Sequence, residues 1–167
     1  LSFLKGLCFL EELFITMYGN ENINFSFLLN LINVRSLGIH VHKKKSIIDL
    51  VNNSNLEFFS FEYFDKNTTV NSLENCLKLK EISLSEYHLD TLENLGKLKI
   101  LESLTIKSSK LRSLKGIENF INLKYLYVGG IRRLKSISAI NEMQNLEEVV
   151  VDGCRQINDF ELLTEIP

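Results

Sequence analysis

The sequence predicts a single solenoid domain: a curved parallel β-sheet on a concave face, 3₁₀ or short helical turns on the convex face, and an apolar core between them. Three observations carry that prediction. An aliphatic-x-x-aliphatic-x-aliphatic unit recurs seven times, the copies stand at near-constant spacing, and apolar residues return at every third position between them.

The seven units are Leu10/Leu13/Ile15, Val34/Leu37/Ile39, Leu56/Phe59/Phe61, Leu79/Ile82/Leu84, Leu101/Leu104/Ile106, Leu123/Leu126/Val128 and Leu146/Val149/Val151. Their first members lie 24, 22, 23, 22, 22 and 23 residues apart. Within a unit the last two positions alternate, as they do when one face of a short strand is buried. Spacings this regular mark an internal repeat, and a unit of this size cannot bury its apolar edge alone, so stacking must supply the core.

The segments between strands follow a different rhythm. Leu1, Leu4, Leu7 and Leu10 stand three apart, as do Leu89, Leu92, Leu95, Leu98 and Leu101. Leu111, Leu114, Ile117, Phe120 and Leu123 repeat the pattern, and so do Leu134, Ile137, Ile140, Met143 and Leu146. A period of three matches the three residues per turn of a 3₁₀ helix, so tight turns are expected behind each strand. The pattern resumes at Ile157, Phe160, Leu163 and Ile166 as a partial C-terminal repeat. Residues 1–167 therefore read as one domain of seven strand-bearing repeats plus that partial one.

With these units the chain resembles the leucine-rich repeat family, in its short class of about 22 residues found in bacterial internalins and phosphatase-regulating repeat proteins. The resemblance covers essentially the whole chain. It implies a protein partner held on the concave face, and it is specific for fold rather than for function. The chain departs from the family where an asparagine normally follows the strand and bonds to turn backbone. Tyr18, His42, Phe64, Tyr87, Ser109, Ile131 and Cys154 stand there by register. Other means, bound water or altered backbone geometry, are expected to satisfy those turns.

Residues between the core positions should face outward, and stacking should align them in columns. The column after the first core residue reads Glu11, Arg35, Glu57, Lys80, Glu102, Lys124, Glu147, with alternating sign. Opposite charges on adjacent strands attract by roughly 0.2 to 1 kcal/mol, so this ladder is expected to hold strand register. The next column reads Glu12, Ser36, Phe58, Glu81, Ser103, Tyr125, Glu148, and the middle one Phe14, Gly38, Ser60, Ser83, Thr105, Tyr127, Val150. Beyond them lie Thr16, His40, Glu62, Ser85, Lys107, Gly129, Asp152 and then Met17, Val41, Tyr63, Glu86, Ser108, Gly130, Gly153. Two aromatic clusters follow. Phe58 and Tyr63 should sit beside His40 and Val41, and Tyr125 and Tyr127 beside Glu148, Val150 and Asp152, with Gly129 and Gly130 leaving space. Aromatic residues on a polar sheet face are the type that carries interface energy, so the candidate partner-binding residues are Tyr125, Tyr127, Phe58, Tyr63, His40, Glu148 and Asp152.

Composition removes other classes. With 19 basic and 21 acidic residues the net charge is −2, which gives no bulk attraction to nucleic acid. No apolar run approaches the ~20 residues that cross a bilayer, so membrane insertion is not expected. Cys8, Cys76 and Cys154 lack paired spacing, which argues against a disulfide framework or zinc site. The His40-Val41-His42 spacing lacks a third ligand. Glu62 and Glu86 form a carboxylate pair on adjacent strands, yet an open sheet keeps them hydrated. No catalytic residue, metal or cofactor is therefore expected.

The functional expectation is a protein-binding module, in a secreted or surface bacterial protein. The alternatives are an intracellular scaffold or regulatory subunit, and a carbohydrate or small-ligand binder. Localisation stays open between the secreted or cell-surface and the cytoplasmic readings. The chain begins inside a repeat and shows no polar cap, so a fragment of a longer chain is expected, with end-to-end self-association as the rival.

Overall fold

The computed structural model describes residues 6–18, 23–41, 46–63, 66 and 68–161. Seven strands form one parallel sheet: β1 (Glu12–Met17), β3 (Ser36–Val41), β5 (Phe58–Glu62), β7 (Glu81–Ser85), β8 (Ser103–Lys107), β9 (Tyr125–Gly129) and β10 (Glu148–Asp152). They pair in chain order, each with the strand of the next coil. The register matches the sequence columns residue for residue, for example Leu13 with Leu37, Ile82 with Leu104 and Leu104 with Leu126. β1 and β3 have six residues and the other five strands five.

The core is the continuous stack of inward residues. Leu37, Phe59, Ile82, Leu104 and Leu126 are at most 2% exposed, and Leu92, Leu111, Leu114, Ile117 and Phe120 close it from behind. Behind the sheet run 3₁₀ turns at Ser26–Asn30, Leu73–Asn75, Glu93–Leu95, Ile117–Asn119 and Ser138–Glu142. No α-helix occurs among the described residues. The period of three thus forms the turns it predicts, because a three-residue repeat places every third side chain on the inner side.

One feature of the back was not expected. β2 (Ile23–Asn24), β4 (Ser46–Asp49) and β6 (Thr68–Asn71) form a second parallel sheet behind the first three coils. These coils carry the period-three series as well, at Phe25, Leu28, Leu31 and Val34 and at Val70, Leu73, Cys76 and Leu79, but Ile47, Ile48, Thr68, Thr69 and Val70 are β-branched residues that favour extended backbone. Ile48 is fully buried while Ile47 faces out, as alternation requires.

The strand exits solve the missing-asparagine problem by backbone geometry. Tyr63, Glu86, Ser108, Gly130 and Gly153, one per coil, all have positive φ between 49° and 65°. That left-handed residue turns the chain inward at once. The residue after it is consequently buried: Tyr87, Ser109, Ile131 and Cys154. Tyr87 donates its hydroxyl to the Thr91 carbonyl at 3.0 Å, Ser109 Oγ accepts from the Leu111 N–H at 3.2 Å, and Cys154 Sγ donates to the Val128 carbonyl at 3.5 Å. In the first coil β1 runs on through Met17, and Tyr18 is 76% exposed instead of turned inward. His42 and Phe64 lie outside the described residues, as do Leu1, Leu4, Leu163 and Ile166 of the period-three series.

A different asparagine ladder stands at the strand entry. Asn33 Nδ2 donates to the Cys8 carbonyl, Asn55 to Ile32, Asn122 to Lys99 and Asn145 to Ile121, at 2.7 to 3.1 Å. Each bond reaches back to the same carbonyl of the preceding coil. Lys78 and Ile100 occupy the two remaining positions; Lys78 Nζ donates instead to Asn55 Oδ1.

Candidate functional site

The charge ladder forms where the sequence places it. The Glu11 carbonyl accepts the amides of both Arg35 and Ser36, and the same forked pattern repeats at Arg35, Glu57, Lys80, Glu102 and Lys124. Side chains add cross-links: Arg35 lies 3.0 Å from Glu57 and 3.8 Å from Glu11, while Glu102 lies 2.9 Å from Lys80 and 3.6 Å from Lys124. The hydrogen bond from Lys80 holds the Glu102 carboxyl below its ordinary range, and the one from Arg35 does the same for Glu57.

At the N-terminal end of the open sheet face, Gly38 leaves a gap in the middle column. The Phe14 ring lies across it, so close that a Cβ on Gly38 would stand 2.3 Å from Phe14 Cδ1. Phe14 thereby reaches Phe58, two strands away, with ring centroids 6.3 Å apart. Phe14 remains 63% exposed. Sequence reasoning missed this residue as a site member, although Gly38 between Phe14 and Ser60 was the signal.

His40 forms the second half of that cluster. Its Nε2 is 2.9 Å from Glu62, its register partner on β5, and its ring lies 5.5 Å from Tyr63 and 6.2 Å from Tyr18. Three details differ from expectation. Phe58 makes its ring contact with Phe14, Val41 is buried because the sixth strand residue returns to the inner face, and Glu62 pairs with His40 instead of Glu86.

At the other end, Tyr125 and Tyr127 stand on β9 beside Glu148 and Val150 of β10. The Tyr127 hydroxyl donates to Asp152 Oδ2 at 3.1 Å, and Lys107 Nζ lies 5.2 Å above its ring. Partial desolvation, together with that bond to Asp152, raises the phenol's pKa above its ordinary value. The expected space beside Gly129 is taken, since a Cβ there would meet Tyr127 Cε1 at 2.4 Å. Gly129 lets the ring lie down and reach Asp152. Lys107 was legible only as a column member, not as a partner of the ring.

Between the two clusters the middle column is small and hydroxylic: Ser60, Ser83 and Thr105, all half-buried. Among the described residues no group of three His, Cys, Asp or Glu side chains could hold a metal ion, and no helix is long and apolar enough to cross a membrane. Burial pushes the Cys76 thiol up to about 12, with a smaller push from Glu74, so it stays protonated inside the core.

No family model matches the chain, and neither does any curated protein. Solved structures do. Internalin C2 from Listeria monocytogenes superposes with a TM-score of 0.58 at 19% identity, covering 77% of this chain and 56% of its own. The plant peptide hormone receptor RGFR1, solved in complex with RGF2, superposes with a TM-score of 0.53 at 14% identity, covering 93% of this chain and 28% of its own. The chain thus spans about half of the internalin's solved length and a quarter of the receptor's. Its fold is the leucine-rich repeat solenoid.

Proposed function

We propose that this chain is a protein-binding module that receives its partner on the open face of the seven-stranded sheet. The observation that carries the reading is the pair of aromatic clusters, Phe14 with Phe58 and Tyr125 with Tyr127, on a face whose other residues are mostly serine, threonine and charged side chains. Side chains of this kind supply most of the binding energy at interfaces when polar groups ring them. Glycines at positions 38 and 129 hold two of the rings in place without any partner, which reduces the ordering cost of binding. The solved receptor of the same fold carries a peptide hormone partner in its complex, which agrees with this use of the scaffold.

Of the candidate residues, Tyr125, Tyr127, Phe58 and Asp152 form the contact surface in this reading. Tyr63, His40 and Glu148 border it. Capture of partners from extracts of the source organism tests the proposal, comparing the parent chain with a Tyr125→Ala/Tyr127→Ala variant and a Phe14→Ala/Phe58→Ala variant. Each true hot spot should weaken binding by about 1 kcal/mol or more with the fold intact. Equal recovery by all three proteins would move the interaction off this face.

The finer reading is a module of a secreted or surface bacterial protein. Its support is the kinship of the short repeat with bacterial internalins and a chain rich in Asn, Lys and Ile, compatible with an AT-rich genome. A leader or wall-anchoring segment in the neighbouring coding sequence would support it, and an uninterrupted cytoplasmic reading frame would oppose it.

A further inference from the structure

The column Glu12, Ser36, Phe58, Glu81, Ser103, Tyr125, Glu148 has a period of its own. It reads acid, serine, aromatic, acid, serine, aromatic, acid, and every neighbouring pair is in direct strand register. The pattern therefore repeats every three strands, a distance of about 14 Å at roughly 4.8 Å per strand. An extended peptide advances about 3.4 Å per residue, so four of its residues also cover about 14 Å, and residues an even number apart face the same side. Three residues would fall about 4 Å short and five would overrun by about 3 Å, each also presenting the wrong side.

Charge identifies what such a peptide carries. The column holds three carboxylates and no base. The nearest ladder lysines, Lys80 and Lys124, are both drawn to Glu102. Glu81 and Glu148 are exposed, and their carboxylates make no hydrogen bond or ion pair among the described residues. Each lies one strand beyond an aromatic residue, about 5 Å away, while the next same-side residue of an extended chain lies about 7 Å away. The flexible stem of a lysine covers that difference.

Resting on the reading of the open face as a protein-binding surface, we propose that this column is the register of an extended basic peptide segment crossing the strands. Apolar side chains four residues apart sit on Phe58 and Tyr125, and basic side chains two residues from each reach Glu81 and Glu148. The intervening side chains point to solvent, and Ser103 leaves the floor low between the two anchors.

The test uses the full chain and a fluorescein-labelled nine-residue peptide with lysine at its first, fifth and ninth positions, leucine at the third and seventh, and threonine elsewhere. That arrangement reads the same in both directions, so it samples either orientation on the column. Anisotropy titration should show saturable binding, and peptides of equal composition with the leucines three or five apart should bind about 5-fold or more weakly. Glu81→Gln and Glu148→Gln should each weaken binding by about 3-fold or more, with the difference shrinking as salt rises. Both glutamates are exposed, and an unchanged urea midpoint confirms that these variants fold.

Absence of binding, equal binding by all three spacings, or equal binding by a version with glutamate in place of lysine would each overturn the proposal. The wider reading fails separately. Capture of a natural partner that is lost in the Phe14→Ala/Phe58→Ala variant would keep binding on this face even when the four-residue register is wrong.

Discussion

Replacing Leu104 with alanine removes three carbons from the centre of the stack. Leu104 is fully buried on β8, with Ile82 and Leu126 as its register neighbours, themselves 2% and 0% exposed. At about 0.8 kcal/mol per buried carbon group the transfer loss is roughly 2.4 kcal/mol. A cavity adds to this because the flanking coils are already packed from both sides, and the total should fall at roughly 2.5 to 5 kcal/mol. Urea unfolding followed by circular dichroism should report a lower midpoint with an unchanged slope. Ile121→Ala serves as the contrast, since Ile121 is 61% exposed, and it should change stability by no more than about 0.5 kcal/mol. Amide exchange in β7 and β9 should accelerate along with that in β8, because coils stabilise one another through their shared faces. A loss below about 1 kcal/mol for Leu104→Ala would refute the assignment of this residue to the core and with it the register.

Three further outcomes are expected. Glu102→Lys sets three like charges in a row with Lys80 and Lys124, so it should destabilise more than Glu142→Lys on the back, and the excess should shrink in about 0.5 M salt; a salt-independent loss would point to packing. Glu118, also on the back, would confound the comparison because its Oε2 accepts the Gly116 N–H at 2.8 Å. Gly116→Ala should cost at least about 2 kcal/mol in urea unfolding, since positive φ strains a side chain there and its Cβ would meet backbone atoms of Leu92 and Glu93 at 2.5 to 2.8 Å. Gly153→Ala, with positive φ but only 3.7 Å contacts, should cost less, and equal losses would count against the clash. Burial pushes the Asp159 carboxyl up, but donors from Ser136, Ile137 and Ser138 outweigh it and leave its pKa below the ordinary 3.8. A depressed folded-state pKa stabilises above the unfolded value and is lost as pH falls through the folded one, so acid unfolding of Asp159→Asn should lack that component. An identical acid profile for parent and variant would remove Asp159 from the account.

The front of the solenoid was legible because its information is local. Leu101, Leu104 and Ile106 announce their own strand, and equal repeat lengths carry the register from coil to coil, so the ladder from Glu11 to Glu147 could be written down before any coordinates. The back of the first coils was less legible, since Ile47-Ile48 and Thr68-Thr69-Val70 become strands only by pairing with one another. The site shows the same division. That Phe58, Tyr125 and Tyr127 face outward follows from alternation, but where a ring lies depends on a glycine: Gly38, 24 residues beyond Phe14, and Gly129, two residues beyond Tyr127. Tyr63 followed neither rule, because a left-handed residue ends the alternation that would have placed it. The strand-entry asparagines were visible as Asn33-Val34, Asn55-Leu56, Asn122-Leu123 and Asn145-Leu146, yet their bonds span coils and leave no local trace.

Those asparagines act as rivets between successive plates of a leaf spring. Coils one to three and five to seven are riveted at the strand entry, whereas the Ile100 position between the fourth and fifth coils has no donor to offer. That joint is tied across the back instead, where Arg112 lies 3.4 Å from Asp90 and Lys115 2.9 Å from Glu93 beside main-chain bonds such as Lys110 N–H to the Tyr87 carbonyl, while Lys80 to Glu102 ties it in front. Phe58 lies on one side of that joint and Tyr125 on the other. The two anchors therefore stand like the fixed jaws of a gauge, and an object seated between them must match their spacing.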